Sequence, residues 1–272
     1  MTAIPAPALL GARVPAQAVM AELLALHALE RRRSTLQRIL GASPLSEETR
    51  PWYRGVLGEI AVGRVLAGLG PDWLVLHAVP VGAGSTDIDH VLVGQAGVFT
   101  INTKNHSGQP VWVAGQTLMV AGRKTRHLYS AAHEAARAAK LLTAAAGEPV
   151  DVTAVVALVA PKSLTIKAEP EQVKVLTERQ LLRWLRGRPH VLDPDQVSRI
   201  AAAAVVARTW HRRPAEPGDG DAIQQNFAGL RLLVDQARRR RAAWALGVPA
   251  AGFVMLVAGG PLGAIIQKLT GG

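Results

Sequence analysis

The sequence predicts an α/β or α+β domain in the middle of the chain, with helical segments before and after it. Three observations predict it. A helical stretch at residues 52–69 stops at Gly70-Pro71, and short apolar runs follow, each bounded by Gly, Pro or Asn. An Ala-rich helical pattern at 129–146 then leads into a further apolar run at 153–160. Hydrophobic residues make up 49% of the chain, ample for a core of this kind.

The elements follow in order. Residues 1–14 are rich in Pro and Ala and lack the charged start of a secretory signal. Val19, Leu23, Leu26 and Leu29 recur at helical spacing, so residues 15–40 read as one helix within a basic lead-in at 1–50. After the helix at 52–69, strands are expected at 74–79, 87–93, 98–102, 111–113 and 117–120. The helix at 129–146 precedes strands at 153–160 and 173–176. Helices at 178–186 and 195–212 close the domain, set at 51–212.

Residues 214–221, Pro-Ala-Glu-Pro-Gly-Asp-Gly-Asp, form a linker by composition, placed at 213–222. A basic helix at 223–241 ends in four arginines, and residues 242–266 carry no charge at all. At about 1.5 Å per residue such a helix exceeds the roughly 30 Å of bilayer hydrocarbon. The arginines before it are where the positive-inside rule puts the cytoplasmic flank. The expectation is a single C-terminal span holding the domain at the cytoplasmic face of a membrane. The alternative is a soluble cytoplasmic protein whose last segment folds as a buried hairpin turning at Gly259-Gly260-Pro261.

The 31 Lys and Arg against 20 Asp and Glu leave a formal charge of +11. That excess suits nucleic acid or an anionic membrane surface without choosing between them. The absence of cysteine excludes disulfide frameworks, thiolate metal sites and cysteine nucleophiles. No phosphate-binding G-x-x-x-x-G-K-[ST] and no H-E-x-x-H occur; His133-Glu134 lacks the second histidine.

Chemistry concentrates in three places. In a helix, Glu59 shares its face with Gly55, Val56, Val62, Gly63 and Leu66. A carboxylate on that stripe is not placed for solvation, and burying it demands a compensating cation or donor; the glycines would let the helix approach a sheet. In a strand, Asp87 and Asp89 lie on one face, and paired carboxylates suit a hard cation. On the next strand Asn102 and Lys104 share a face. If the two strands are neighbours, Asp89, Asn102 and Lys104 converge, with Glu59 over them. Acids with one lysine fit phosphodiester hydrolysis, in which a metal activates water and the lysine stabilises developing charge. The plainer alternative is a strand ending in polar loop residues.

The blocks Gly58-Glu59, Ile88-Asp89-His90 and Gly97-Val98-Phe99-Thr100-Ile101-Asn102-Thr103-Lys104-Asn105, with Gly108, resemble the NERD (nuclease-related) domain. The resemblance covers about residues 55–165. It implies a restriction-endonuclease-like core of the PD-(D/E)XK kind, a mixed sheet flanked by helices, acting on DNA with Mg²⁺ or Mn²⁺. Glu59, Asp89 and Lys104 fall on the family's acid, acid and lysine, and Glu59, Asp89 and Asn102 become the expected metal ligands. One position departs: where the family reads Glu-x-Lys, this chain reads Asn102-Thr103-Lys104. An amide oxygen ligates a metal but adds no charge.

His133, Arg137 and Lys140 on the Ala-rich helix, and Arg123 with Lys124, are candidate nucleic-acid contacts, against the plainer reading of a solvated helix face. Trp112 could stack on a base or simply pack, and His106 is a further candidate near Lys104. The expected function is a nuclease-related protein that binds and hydrolyses nucleic acid while tethered to a membrane. The alternative is a non-catalytic nucleic-acid-binding or membrane-associated scaffold that keeps the fold.

Overall fold

A computed structural model describes residues 9–82, 87–211 and 219–259, with side chains through residue 247. The chain divides into two compact units: residues 1–23 with 51–224, and residues 24–50 with 225–272.

Helix α1 (Gln17–Leu29) ends well before the expected residue 40. Chain direction changes across Glu30 and the arginines after it, and a separate short helix α2 (Thr35–Ile39) begins. Its start is fixed by a capping box, in which Ser34 and Gln37 bond each other's backbone N–H. Helix α3 (Thr49–Leu66) leads into strands β1 (Leu74–Pro80), β2 (Asp87–Gly94) and β3 (Gly97–Asn105). Strands β4 (Pro110–Ala114), β5 (Thr117–Val120) and β6 (Arg123–Thr125) follow, then helix α4 (His127–Ala146). Strands β7 (Val152–Val159), β8 (Ser163–Ala168) and β9 (Val173–Thr177) precede helices α5 (Glu178–Arg186), α6 (Pro194–Ala204) and α7 (Ala207–Trp210). The helix expected at 195–212 is therefore two, because Val206 is extended.

Among the described residues there are two mixed sheets where one was expected. The main sheet runs β1-β2-β3-β7-β9, antiparallel through β3 and parallel beyond it. The other runs β6-β5-β4-β8, with β4 and β8 parallel. Central strand β3 is covered on both faces. Phe99 and Ile101 pack with Val62 and Leu66 of α3, while Val98 packs with Ala138 and Leu142 of α4. The second sheet uses the same helix: Val111, Val113 and Leu118 cluster with Leu128 and Ala131 of α4. The sandwich fixes two helices against the end of β3, where the polar residues begin.

In the other unit, helix α8 (Gly220–Gly259) runs unbroken into the uncharged stretch. Its arginines are partly engaged with the chain itself. Arg240 donates to the Arg38 carbonyl (2.9 Å), Arg241 to that of Gly41 (3.2 Å) and the Trp244 indole to that of Ile39 (3.0 Å). These bonds satisfy carbonyls at the C-terminal end of α2. The expected membrane anchor at 242–266 finds no support here: among the described residues no helix is long and apolar enough to cross a membrane. Most of that stretch lies outside the described side chains.

Candidate functional site

Glu59 reaches the site because α3 lies unusually close to β3. A Cβ on Gly58 would stand 3.0 Å from the Asn105 Cβ and 3.3 Å from the Thr103 Cγ2. Glycine at this position permits the approach, and the Asn105 amide secures it by donating to the Arg54 carbonyl (2.8 Å). The glycines singled out beside Glu59 do other work. Gly63 faces Pro15 and Gly55 faces Val19.

Glu59 is only 5% exposed, and its Oε2 has no hydrogen-bond partner among the described residues. Burial pushes its carboxyl well above the usual carboxylate range; Asp89 and Asp87 push it further, and Lys104 opposes them. Asp89 accepts a hydrogen bond from the Thr103 N–H (2.6 Å). Burial raises this carboxyl too, against the pull of Lys104 and the Thr103 bond. Asp87 is raised to about 6, by burial and then by Asp89, with Arg13 opposing. A cleft of about 500 Å³ is lined by Glu59, Asp89, Thr103, Lys104 and His106, with Trp52 and Arg54 beside them.

Asn102 does not line that cleft. It is 4% exposed and faces α4, where its Nδ2 donates to both carboxylate oxygens of Glu134, each at 2.8 Å. Its Oδ1 has no partner among the described residues. Glu134 is pushed up to about 7, first by burial and also by Asp89 and Asp87, with the Asn102 bond and Lys104 opposing. Sequence reasoning passed over Glu134 as a site residue. A partial signal was present: Ala131 and Ala138, at i−3 and i+4, are buried, although Ser130 and Arg137 complete that face.

His106 pairs with His127 at the start of α4, Nε2 to Nε2 at 3.0 Å. Burial lowers both, with Lys104 adding to the effect, and His127 falls to about 4, so it is neutral at pH 7. The proposed nucleic-acid contacts lie elsewhere. His133, Arg137 and Lys140 are exposed on α4, and Arg123 and Lys124 are exposed on β6. His133 stacks on Tyr129, and the Arg126 guanidinium lies 4.8 Å over that tyrosine ring. None of the five lines the cleft. Trp112 is half-buried on β4.

The donor chemistry fits a divalent cation in kind. Crowded carboxylates with unpartnered buried oxygens on Glu59 and Asp87 are relieved by positive charge, and oxygen donors suit Mg²⁺ or Mn²⁺. Among the described residues no group of three or more His, Asp or Glu is already placed to hold one ion.

Residues 54–159 match the family model of the nuclease-related domain, NERD. Glu59, Asp89, Asn102, Lys104 and Glu134 all fall inside the matched segment. An uncharacterized protein of Bacillus anthracis is 39% identical over 69 residues, which are 24% of this chain and 31% of that protein. The chain thus spans about a third of that relative's length. No solved structure matches.

Proposed function

On the premise of a nuclease-related domain at residues 54–159, we propose that this protein hydrolyses phosphodiesters in DNA with a divalent metal ion. The observation that carries the reading is one cleft lined together by Glu59, Asp89 and Lys104. Such an ion, when bound, screens the phosphate charge and lowers the pKa of a water molecule. Glu59 and Asp89 are the carboxylates that would hold it. Lys104 faces the same space, and its ammonium stabilises charge developing on the phosphate oxygens. The Thr103 N–H holds Asp89 in orientation. His133, Arg137, Lys140, Arg123 and Lys124 supply exposed positive or polar contacts for the flanking phosphate backbone.

The test is Mn²⁺-dependent cleavage of single- and double-stranded DNA by the full chain. Asp89→Asn and Lys104→Met should each lower the rate at least about a hundredfold with the fold intact, the size expected for removing a preorganised electrostatic group. Folded variants that cleave as fast as wild type overturn the assignment.

The lack of a ready three-residue metal group among the described residues favours a second reading, a DNA-binding module without catalysis. Salt-sensitive DNA binding by a chain that takes up no Mn²⁺ would select it. The membrane tether belongs to the same proposal and rests on the uncharged run at 242–266 alone. Full-length protein should resist a carbonate wash of membranes, and recovery without detergent as a soluble protein would remove the tether and the cytoplasmic-face location.

A further inference from the structure

Three guanidiniums converge on one small cleft with no acid to answer them. The cleft, of about 270 Å³, is lined by Arg33, by Thr35 and Arg38 of α2, and by Gln236 and Arg240 of α8. All five residues belong to the unit of residues 24–50 with 225–272, outside the matched segment 54–159. Among the described residues no Asp or Glu lines the cleft, and none of the three arginines forms a salt bridge. Glu30, the acid nearest Arg33 in sequence, is taken up by His27 and Thr49, each at 2.8 Å. Burial holds the Arg33 guanidinium below its ordinary value, and Arg38 and Arg240 push it the same way. Bonds to the chain hold two of these like charges in place. Arg33 donates to the Ala42 carbonyl (2.8 Å) and Arg240 to the Arg38 carbonyl (2.9 Å). A guanidinium carries five N–H donors, so most of them stay available to a ligand. The Arg38 side chain reaches only the Thr35 Oγ1, at 3.5 Å, the outer limit of a hydrogen bond.

We infer that this cleft binds a phosphate group, carried as a monoester or as the free ion. Such a group brings a charge of about −1.5 to −2 and three strong acceptor oxygens at neutral pH. Three planar forks match it in both charge and acceptors, and the Thr35 hydroxyl and Gln236 amide add neutral donors. A carboxylate or a phosphodiester offers a single charge and two free oxygens, which leaves one guanidinium unanswered. The free ion and the monoester headgroup of phosphatidic acid share the favoured chemistry. The inference stands apart from the metal-dependent reading above, because the two sites have no residue in common.

The experiment is titration calorimetry of the full chain with inorganic phosphate at constant ionic strength. Acetate serves as the carboxylate control, and circular dichroism checks folding. Arg38→Gln is the informative variant, since that side chain makes only the long Thr35 contact. It should weaken phosphate at least about tenfold, the scale of losing a charge-assisted hydrogen bond. Arg239→Gln removes the same charge from α8 at a residue that does not line the cleft, and screening should keep its effect within about twofold. Equal losses in the two variants, or phosphate bound no more tightly than acetate, overturn the proposal. If Arg38→Gln does not fold, Arg38→Lys decides: it keeps the charge but loses the fork, and affinity equal to wild type overturns the proposal. Flotation with phosphatidylcholine vesicles carrying phosphatidic acid separates the sources. Capture that is lost in Arg38→Gln assigns the lipid headgroup, whereas phosphate binding without capture assigns a free phosphate. A wild-type chain that binds neither overturns the proposal, also if Arg38→Gln then lowers its affinity for duplex DNA.

Discussion

Buried acids that repel one another leave a signature in stability. Glu134 is raised from its ordinary 4.5 to about 7, so between those values the native chain keeps a proton that the unfolded chain has lost. Stability from this group is therefore full below about pH 4.5 and falls as pH rises toward 7. His77, lowered to about 4 by burial against His90, acts in the opposite direction as pH falls from 6.5. Subtraction separates the two. In EDTA, wild type should lose melting temperature relative to Glu134→Gln between pH 5 and 7.5; parallel curves would contradict the raised carboxyl. At this scale the acids Glu59 and Asp89 were legible, because a carboxylate on an apolar stripe or strand start is conspicuous in one dimension. The partner of Asn102 was not, because nothing local in Asn102-Thr103-Lys104 points to a helix 32 residues away.

Among the elements, α3 is the one whose docking distance sets the site. Gly58 is the reason it docks so closely. Gly58→Ala removes a helix-interior glycine, a gain of up to about 1 kcal/mol. The new methyl meets the Asn105 Cβ and Thr103 Cγ2 at 3.0 and 3.3 Å, and overpacking of that kind costs about 1–3 kcal/mol. Chemical denaturation should show a net loss of about 1 kcal/mol; a stabilised variant would mean that α3 is free to back away. Apolar periodicity located α3, α4 and most strands. It missed β6, since Arg123-Lys124-Thr125 has no apolar residue and forms only by pairing with β5. It also passed over β8, whose Ser163–Ala168 alternation is short and mostly exposed. The breaks after α1 and between α6 and α7 were hidden for a different reason: a capping box at Ser34 and an extended Val206 end helices that propensity alone would continue.

For the whole molecule, the charge of +11 suits the DNA partner proposed for the nuclease-related segment. The fold class was legible because strand and helix patterns alternate along 52–186. The separation into two sheets was not, and β8, the parallel partner of β4 in the second sheet, was unseen. Everything proposed for the site depends on Glu59 and Asp89 sharing one ion. Anomalous diffraction from a crystal of the full chain grown with Mn²⁺ tests that directly. The account predicts a peak within about 2.5 Å of oxygens from both carboxylates, beside Lys104. A peak elsewhere, or carboxylates more than about 10 Å apart around an empty cleft, would contradict it.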